Sequence, residues 1–140
     1  MTVDREKIRQ KLHYIREKVN LLEQFKGMDK SRFTSEPFYE DAAIHMLQVA
    51  IESMLDICAH IIAREGWGLA KTYVEIVELA AKNGLISDDM AEVYKNMARF
   101  RNRVIHLYNR VDTEEILNII NNRLDDFQPF ISAVIHKYLP

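Results

Sequence analysis

A chain of 140 residues that is 48% hydrophobic has enough apolar material for one domain with its own core, and needs no disulfide or metal staple. Nineteen Lys and Arg against 21 Asp and Glu leave a net charge of −2, which excludes long electrostatic tracking along nucleic acid. The single cysteine excludes an intrachain disulfide, and no window approaches the ~18 uninterrupted apolar residues of a membrane span.

The N-terminus MTVDREKIRQKL alternates charge and lacks the apolar centre of a signal peptide, so the expectation is a soluble, cytoplasmic domain covering residues 1–140. Only four Gly and three Pro interrupt the chain, which points to a few long helices. From about Asp4 to Phe25, Ile8, Leu12, Ile15, Val19 and Leu22 recur at helical spacing. Residues 26–32, with Gly27, read as a connection. Thr34 and Ser35 followed by Pro37 predict the cap and first turn of a long helix that runs to about Arg64 and stops at Gly66. Its inward stripe is Ile44, Leu47, Ile51, Met54 or Leu55, Cys58 and Ile61, which makes Cys58 a buried structural thiol. His45, Gln48, Glu52 and Asp56 lie off that stripe.

Beyond Trp67, read as a loop aromatic packed over the bundle end, a third helix is expected from about Thr72 to Lys82, with Val74, Val77 and Ala81 inward and Asn83-Gly84 as its stop. A fourth opens at Ser87, with Asp88 and Asp89 at its positive end, and runs to about Asn109. The fifth starts near Asp112 with the stripe Ile116, Ile119 or Ile120, Leu124, Phe127, Ile131, Val134 and Tyr138. Pro129 within it predicts a kink, or a break with restart. The fold class is all-α, an antiparallel bundle of about five helices.

Chemistry concentrates on the fourth helix. Residues 95–110 hold Lys95, Arg99, Arg101, Arg103 and Arg110, together with His106, and no acid. Such a stretch in an acidic chain reads as a place for an anion, with Lys95, Arg99, Arg103 and Arg110 as phosphate-binding candidates. On a helical wheel Met97, Phe100, Val104, Leu107 and Val111 face the core. Asn102 and His106, four apart, share the opposite arc, so the amide can orient the imidazole. Arg101 lies about 140° round from His106 at the edge of the apolar arc, where a guanidinium needs a partner or an anion. Within one straight helix the two do not converge, so a shared site needs a second helix, most simply that of a second subunit. Glu52 and Asp56 are candidates to pair with the arginines.

The pattern R-x-x-x-x-H-x-Y, here Arg101, His106 and Tyr108, resembles the signature of HepT-like toxins of the HEPN superfamily. The helical frame and the stretch AIESMLDICAHI of the long second helix extend the resemblance over nearly the whole chain, and Asn102 after the motif arginine fits it too. The resemblance implies a metal-independent endoribonuclease acting as a homodimer, with Arg101, Asn102 and His106 at the site and no cofactor. It also implies a minimal nucleotidyltransferase antitoxin as partner, which silences the toxin by transferring AMP to Tyr108. RNA, and not DNA, is the implied substrate.

Two other readings compete. The basic helix could serve a non-catalytic partner of a nucleotidyltransferase, holding nucleotide or protein. Asp41–His45 and Asp56–His60, each four apart, have a spacing that could ligate a metal, but the Glu-x-x-His of metal-binding bundles is lacking, and they read as surface pairs. His13 and His136 have no ligand-like surroundings.

Overall fold

Ile8, Leu12, Ile15 and Leu22 repeat at helical spacing, and all four are buried on one helix, α1 (Arg5–Leu22). The computed structural model describes residues 2–106 and 111–140. Among these the regular elements are all helical: α2 (Lys30–Ser35), α3 (Tyr39–Glu65), α4 (Tyr73–Lys82), α5 (Asp88–His106), α6 (Thr113–Asn122) and α7 (Phe127–Tyr138) follow α1, with single 3₁₀ turns at Glu23–Phe25 and Leu124–Asp126. Asp4 caps α1, its carboxylate accepting from the Lys7 amide at 3.1 Å.

The centre of the bundle is α3. Eleven of its residues are buried, from Ala43 to Ile62, more than one stripe can supply, so the helix is covered on several sides. Its length and apolarity would suffice to cross a bilayer, and they are used here to build a core. Cys58 is fully buried, and burial alone pushes its thiol up to about 12, so it is inert, as its place in the stripe implies. Gly66 closes the helix in a left-handed conformation, and Trp67 packs against the core beyond it.

The start of α3 departs from expectation. Residues 30–35, read as connection and cap, form α2, because buried Phe33 packs edge-on against Phe25 at 5.5 Å and pins that turn to the core. Pro37 holds Glu36 extended (φ −75°, ψ 125°), which ends α2. The long helix then begins only after Phe38, which has φ 74°, an uncommon value for a residue with a side chain.

The other expected elements are present, with small shifts. In α4, Val77 and Ala80 are buried, while Val74 and Ala81 are partly so. Thr72 caps it by accepting from Glu75 N–H, and Glu75 reaches back to the Lys71 amide at 2.6 Å. The proline of the last segment produces a break with restart: α6 stops, the chain makes a 3₁₀ turn, and Pro129 sits in the first turn of α7, where a missing N–H costs nothing. Buried Tyr94 of α5 fastens this restart, its hydroxyl donating to the Asp126 carbonyl at 2.7 Å and accepting from Phe130 N–H at 3.0 Å. Tyr94 adjoins Cys58 while Arg101 meets Glu52, so α5 runs antiparallel to α3.

Residues before α1 are tied to α3. Asp4 N–H donates to His60 Nε2 at 2.8 Å, and Arg64 donates to the Thr2 carbonyl at 2.7 Å. Burial, then Arg64 and Lys7, lower the His60 pKa against a smaller opposing effect of Asp4.

Tyr94→Phe removes both hydrogen bonds and leaves a buried amide unpaired, and should cost about 1–3 kcal/mol in urea unfolding. His60 is held neutral in the folded state, so its contribution is complete above its ordinary pKa of ~6.5 and is lost as pH falls through that value and on through the lowered one. Stability measured between about pH 7 and 5 should therefore decline less steeply in His60→Ala than in the wild type.

Candidate functional site

Helix α5 opens with Asp88 and Asp89 in its first turn and ends on Arg103 and His106 in its last, the charge order a helix dipole favours. Its buried residues are Tyr94, Ala98 and Phe100, whereas Met97 and Val104, expected on the core arc, are only partly buried. The difference arises because one side of α5 packs on α3 and α4 while the other borders a groove. That groove, about 500 Å³, lies between α5 and the α6–α7 segment, with Ile51, Met97, Phe100 and Ile119 among its apolar walls and Arg103 and Glu115 among its polar ones.

The acid-free basic stretch is answered by carboxylates from elsewhere. Lys95 lies 3.5 Å from Glu78 and 4.0 Å from Glu92. Arg99 donates through Nη1 to Glu92 at 3.1 Å and to Asn96 at 2.7 Å. Arg103 is clamped by Glu115 of α6, both Nη atoms donating at 2.8 Å, and the Glu115 hydrogen bond raises its pKa further. A guanidinium with its fork filled in this way is a brace between α5 and α6 rather than an open phosphate donor. Lys95, Arg99 and Arg103, expected as phosphate contacts, are thus engaged within the chain. Arg110 lies outside the described residues.

Arg101 is held differently. Nε donates to Glu52 Oε1 at 2.9 Å, and the same oxygen accepts from Gln48 at 3.4 Å. The guanidinium lies 4.4 Å from the ring centre of Tyr73, the first residue of α4. Nη1 approaches Asn102 Oδ1 at 3.4 Å. Only 15% of the Arg101 side chain remains accessible, so its guanidinium is largely out of water, unlike that of Arg99 at 48%. Among the described residues no carboxylate engages the Nη atoms of Arg101.

His106 is exposed at the end of α5. It stands five residues beyond Arg101, about 7.5 Å along the helix and about 140° round it, so one protomer does not bring the two together. Asn102, expected to orient His106, instead faces Arg101. Tyr108 lies outside the described residues.

Of the two acids expected against the motif helix, Glu52 pairs with Arg101, while Asp56 pairs with Lys11 at 3.0 Å. His60 is occupied by the Asp4 amide. Among the described residues no group of three or more His, Cys, Asp or Glu side chains gathers to hold a metal. Sequence reasoning missed Tyr73, Glu78 and Glu115. Glu92 was legible, standing three residues before Lys95 and seven before Arg99, whereas the others reach α5 across loops whose course no local pattern gives.

The family model described as "Ribonuclease HepT-like" matches residues 15–134. The mRNA nuclease HepT of Shewanella oneidensis is 27% identical over 124 residues, covering 89% of this chain and 92% of that protein. A crystal structure of a toxin–antitoxin with AMP-PNP superposes with a TM-score of 0.86 at 25% identity, covering 94% of this chain and 99% of that one. The tri-AMPylated Shewanella oneidensis HEPN toxin in complex with its MNT antitoxin gives 0.85 at 26% identity, covering 94% and 98%.

Glu115→Ala should lower stability by about 0.5–1 kcal/mol, the range for a partly exposed pair, and the loss should shrink in high salt.

Proposed function

Because the chain belongs to the HepT-like ribonuclease family, we propose that it is a metal-independent endoribonuclease, the toxin of a toxin–antitoxin pair, working in the cytoplasm as a homodimer. The observation that carries this reading is the state of Arg101: it is fixed through Nε and by a ring face, its terminal nitrogens are unclaimed by acid, and an exposed imidazole follows five residues later.

Without a metal, RNA is cut by its own 2′-hydroxyl. The 2′-oxygen forms a bond to the adjacent phosphorus as the bond to the 5′-oxygen breaks, leaving a 2′,3′-cyclic phosphate and a 5′-hydroxyl. One proton leaves the nucleophile and one reaches the leaving oxygen. An imidazole can do either, and the two His106 side chains of a dimer would supply both roles. The Nη edge of Arg101 suits the charge that grows on the non-bridging oxygens. Asn102, beside that edge, assists in orienting it. The carboxylate-paired cations Lys95, Arg99 and Arg103 limit the RNA contact to the immediate site, in keeping with a chain of net charge −2.

The partner is a minimal nucleotidyltransferase antitoxin. The resemblance of this chain to a tri-AMPylated toxin supports silencing by transfer of AMP to Tyr108, two residues beyond His106. The added phosphate and adenosine would obstruct RNA by size and charge.

Purified protein should cleave RNA in EDTA, and His106→Ala should lower the rate by about 10²- to 10⁴-fold while the variant remains folded and dimeric. RNA left intact by the wild-type protein, with binding to the nucleotidyltransferase retained, would favour the non-catalytic partner over the nuclease.

A further inference from the structure

We propose that Glu52 is a positioning residue for the cleavage site: with Tyr73 it fixes Arg101 so that its terminal nitrogens, and not its Nε edge, meet the phosphate. The inference rests on the ribonuclease reading and adds to it a role for two helices that carry none of the motif.

An arginine can grip a phosphate along either of two edges, Nε with one Nη or the two Nη atoms together. Which edge is presented depends on what holds the other. At Arg101 the choice is made by α3 and α4. Glu52 Oε1 takes Nε at 2.9 Å, and the Tyr73 ring covers one face of the plane at 4.4 Å. A planar group held at one edge and one face has lost the freedom to roll, and the remaining edge points away from Glu52. The Gln48 amide donates to the same Glu52 oxygen and restrains the carboxylate from within its own helix, one turn earlier.

Arg103, two residues further on, shows what the other arrangement looks like. Glu115 takes both of its Nη atoms at 2.8 Å each, which fills the edge that at Arg101 no carboxylate reaches. The two arginines share a helix and a residue type, and differ in which nitrogens the carboxylate reaches. With 15% of its side chain accessible, Arg101 is also held more stiffly than a surface arginine, because few waters compete for its guanidinium. A side chain with several rotatable bonds is thereby ordered before substrate arrives, so its immobilisation does not have to be met at the transition state.

The geometry also argues against Glu52 acting as a proton carrier. Its Oε1 accepts from both Arg101 Nε and Gln48, and the Nη edge that would bind a phosphate lies across the guanidinium from that oxygen. Its effect on the reaction passes through Arg101.

The test is a kinetic cycle on an RNA oligonucleotide in EDTA, using the full chain as wild type, Glu52→Ala, Glu52→Gln, Arg101→Ala and the Glu52→Ala/Arg101→Ala double variant. Glu52→Ala should lower kcat by about 100-fold with KM changed by less than about threefold, as expected when a reacting group is misplaced rather than a binding contact removed. Glu52→Gln keeps an oxygen that accepts from Nε and should recover activity to within about tenfold of wild type, but not fully, since the charge is gone. In the Arg101→Ala background, removing Glu52 should change kcat by less than about twofold, because the residue through which it acts is absent. A merely structural role would lower the rate in both backgrounds, and that result would overturn the proposal. So would Glu52→Ala at the wild-type rate. Should Glu52→Ala fail to fold, Glu52→Gln decides: a loss of roughly three- to tenfold at an unchanged Tm supports the role, and a wild-type rate overturns it. Wild-type protein that leaves RNA intact removes the ribonuclease reading and this role with it, whereas active wild type with equally active Glu52 variants removes this role alone.

Discussion

The burial of α3 is the constraint on which the other elements depend. A 27-residue helix with apolar side chains around much of its circumference must be wrapped, and α1, α4, α5 and α6 do the wrapping. Polar groups on the covered sides of such a helix need a neighbour to meet them. Glu52 is met by Arg101, Asp56 by Lys11, His60 by the Asp4 amide and Glu40 by the Thr113 hydroxyl. These four points attach helices or helix ends to α3, and one of them sets the candidate site. Core and chemistry therefore share an element: the helix that excludes water from the centre also holds the arginine that faces outward.

Electrostatics on α5 show how a charge count can mislead. Five cations without an intervening acid look like an open anion site, yet each of the four described is answered by a glutamate, from α4, from α5 itself, from α3 and from α6. Most of these pairs are exposed enough to contribute little stability. Their consequence is a difference in presentation, since Glu115 takes both terminal nitrogens of Arg103 whereas Glu52 takes only the Nε of Arg101. A site of this kind is defined as much by which cations are neutralised as by which are present.

The separation of Arg101 from His106 has a geometric cause. Five residues of regular helix turn the side chains about 140° apart, and nothing in α5 up to His106 breaks its regularity. Arg101 is committed to α3 and α4, and His106 to solvent. Two such helices facing each other could offer the arginine of one beside the histidine of the other, which is the physical reason that the proposed function is dimeric. The half-buried Val104 and Ile105, between the two motif residues, leave apolar surface at that end of α5 for such a contact.

Much of this was legible along the chain. The stripes of α1 and α3, the stop at Gly66, the start at Asp112 and the restart at Pro129 are local matters, governed by spacing and by backbone chemistry within a turn or two. The motif itself, and the angle between its arginine and histidine, could be read from residue numbers, and so could Glu52 as a partner. The tertiary structure alone decided that α2 is a helix, because a buried contact of Phe33 with Phe25 outweighs a connection-like composition. It also decided that Asp56 serves Lys11, that Asn102 turns to Arg101 and that Tyr73 lies beneath the guanidinium. A helix specifies its own faces through its period, but which side chain of another element arrives at a given face depends on how loops route and helices pack. For that reason the sequence named the basic helix and its motif, while only the packed bundle distinguished the arginine held ready from the arginine used as a brace.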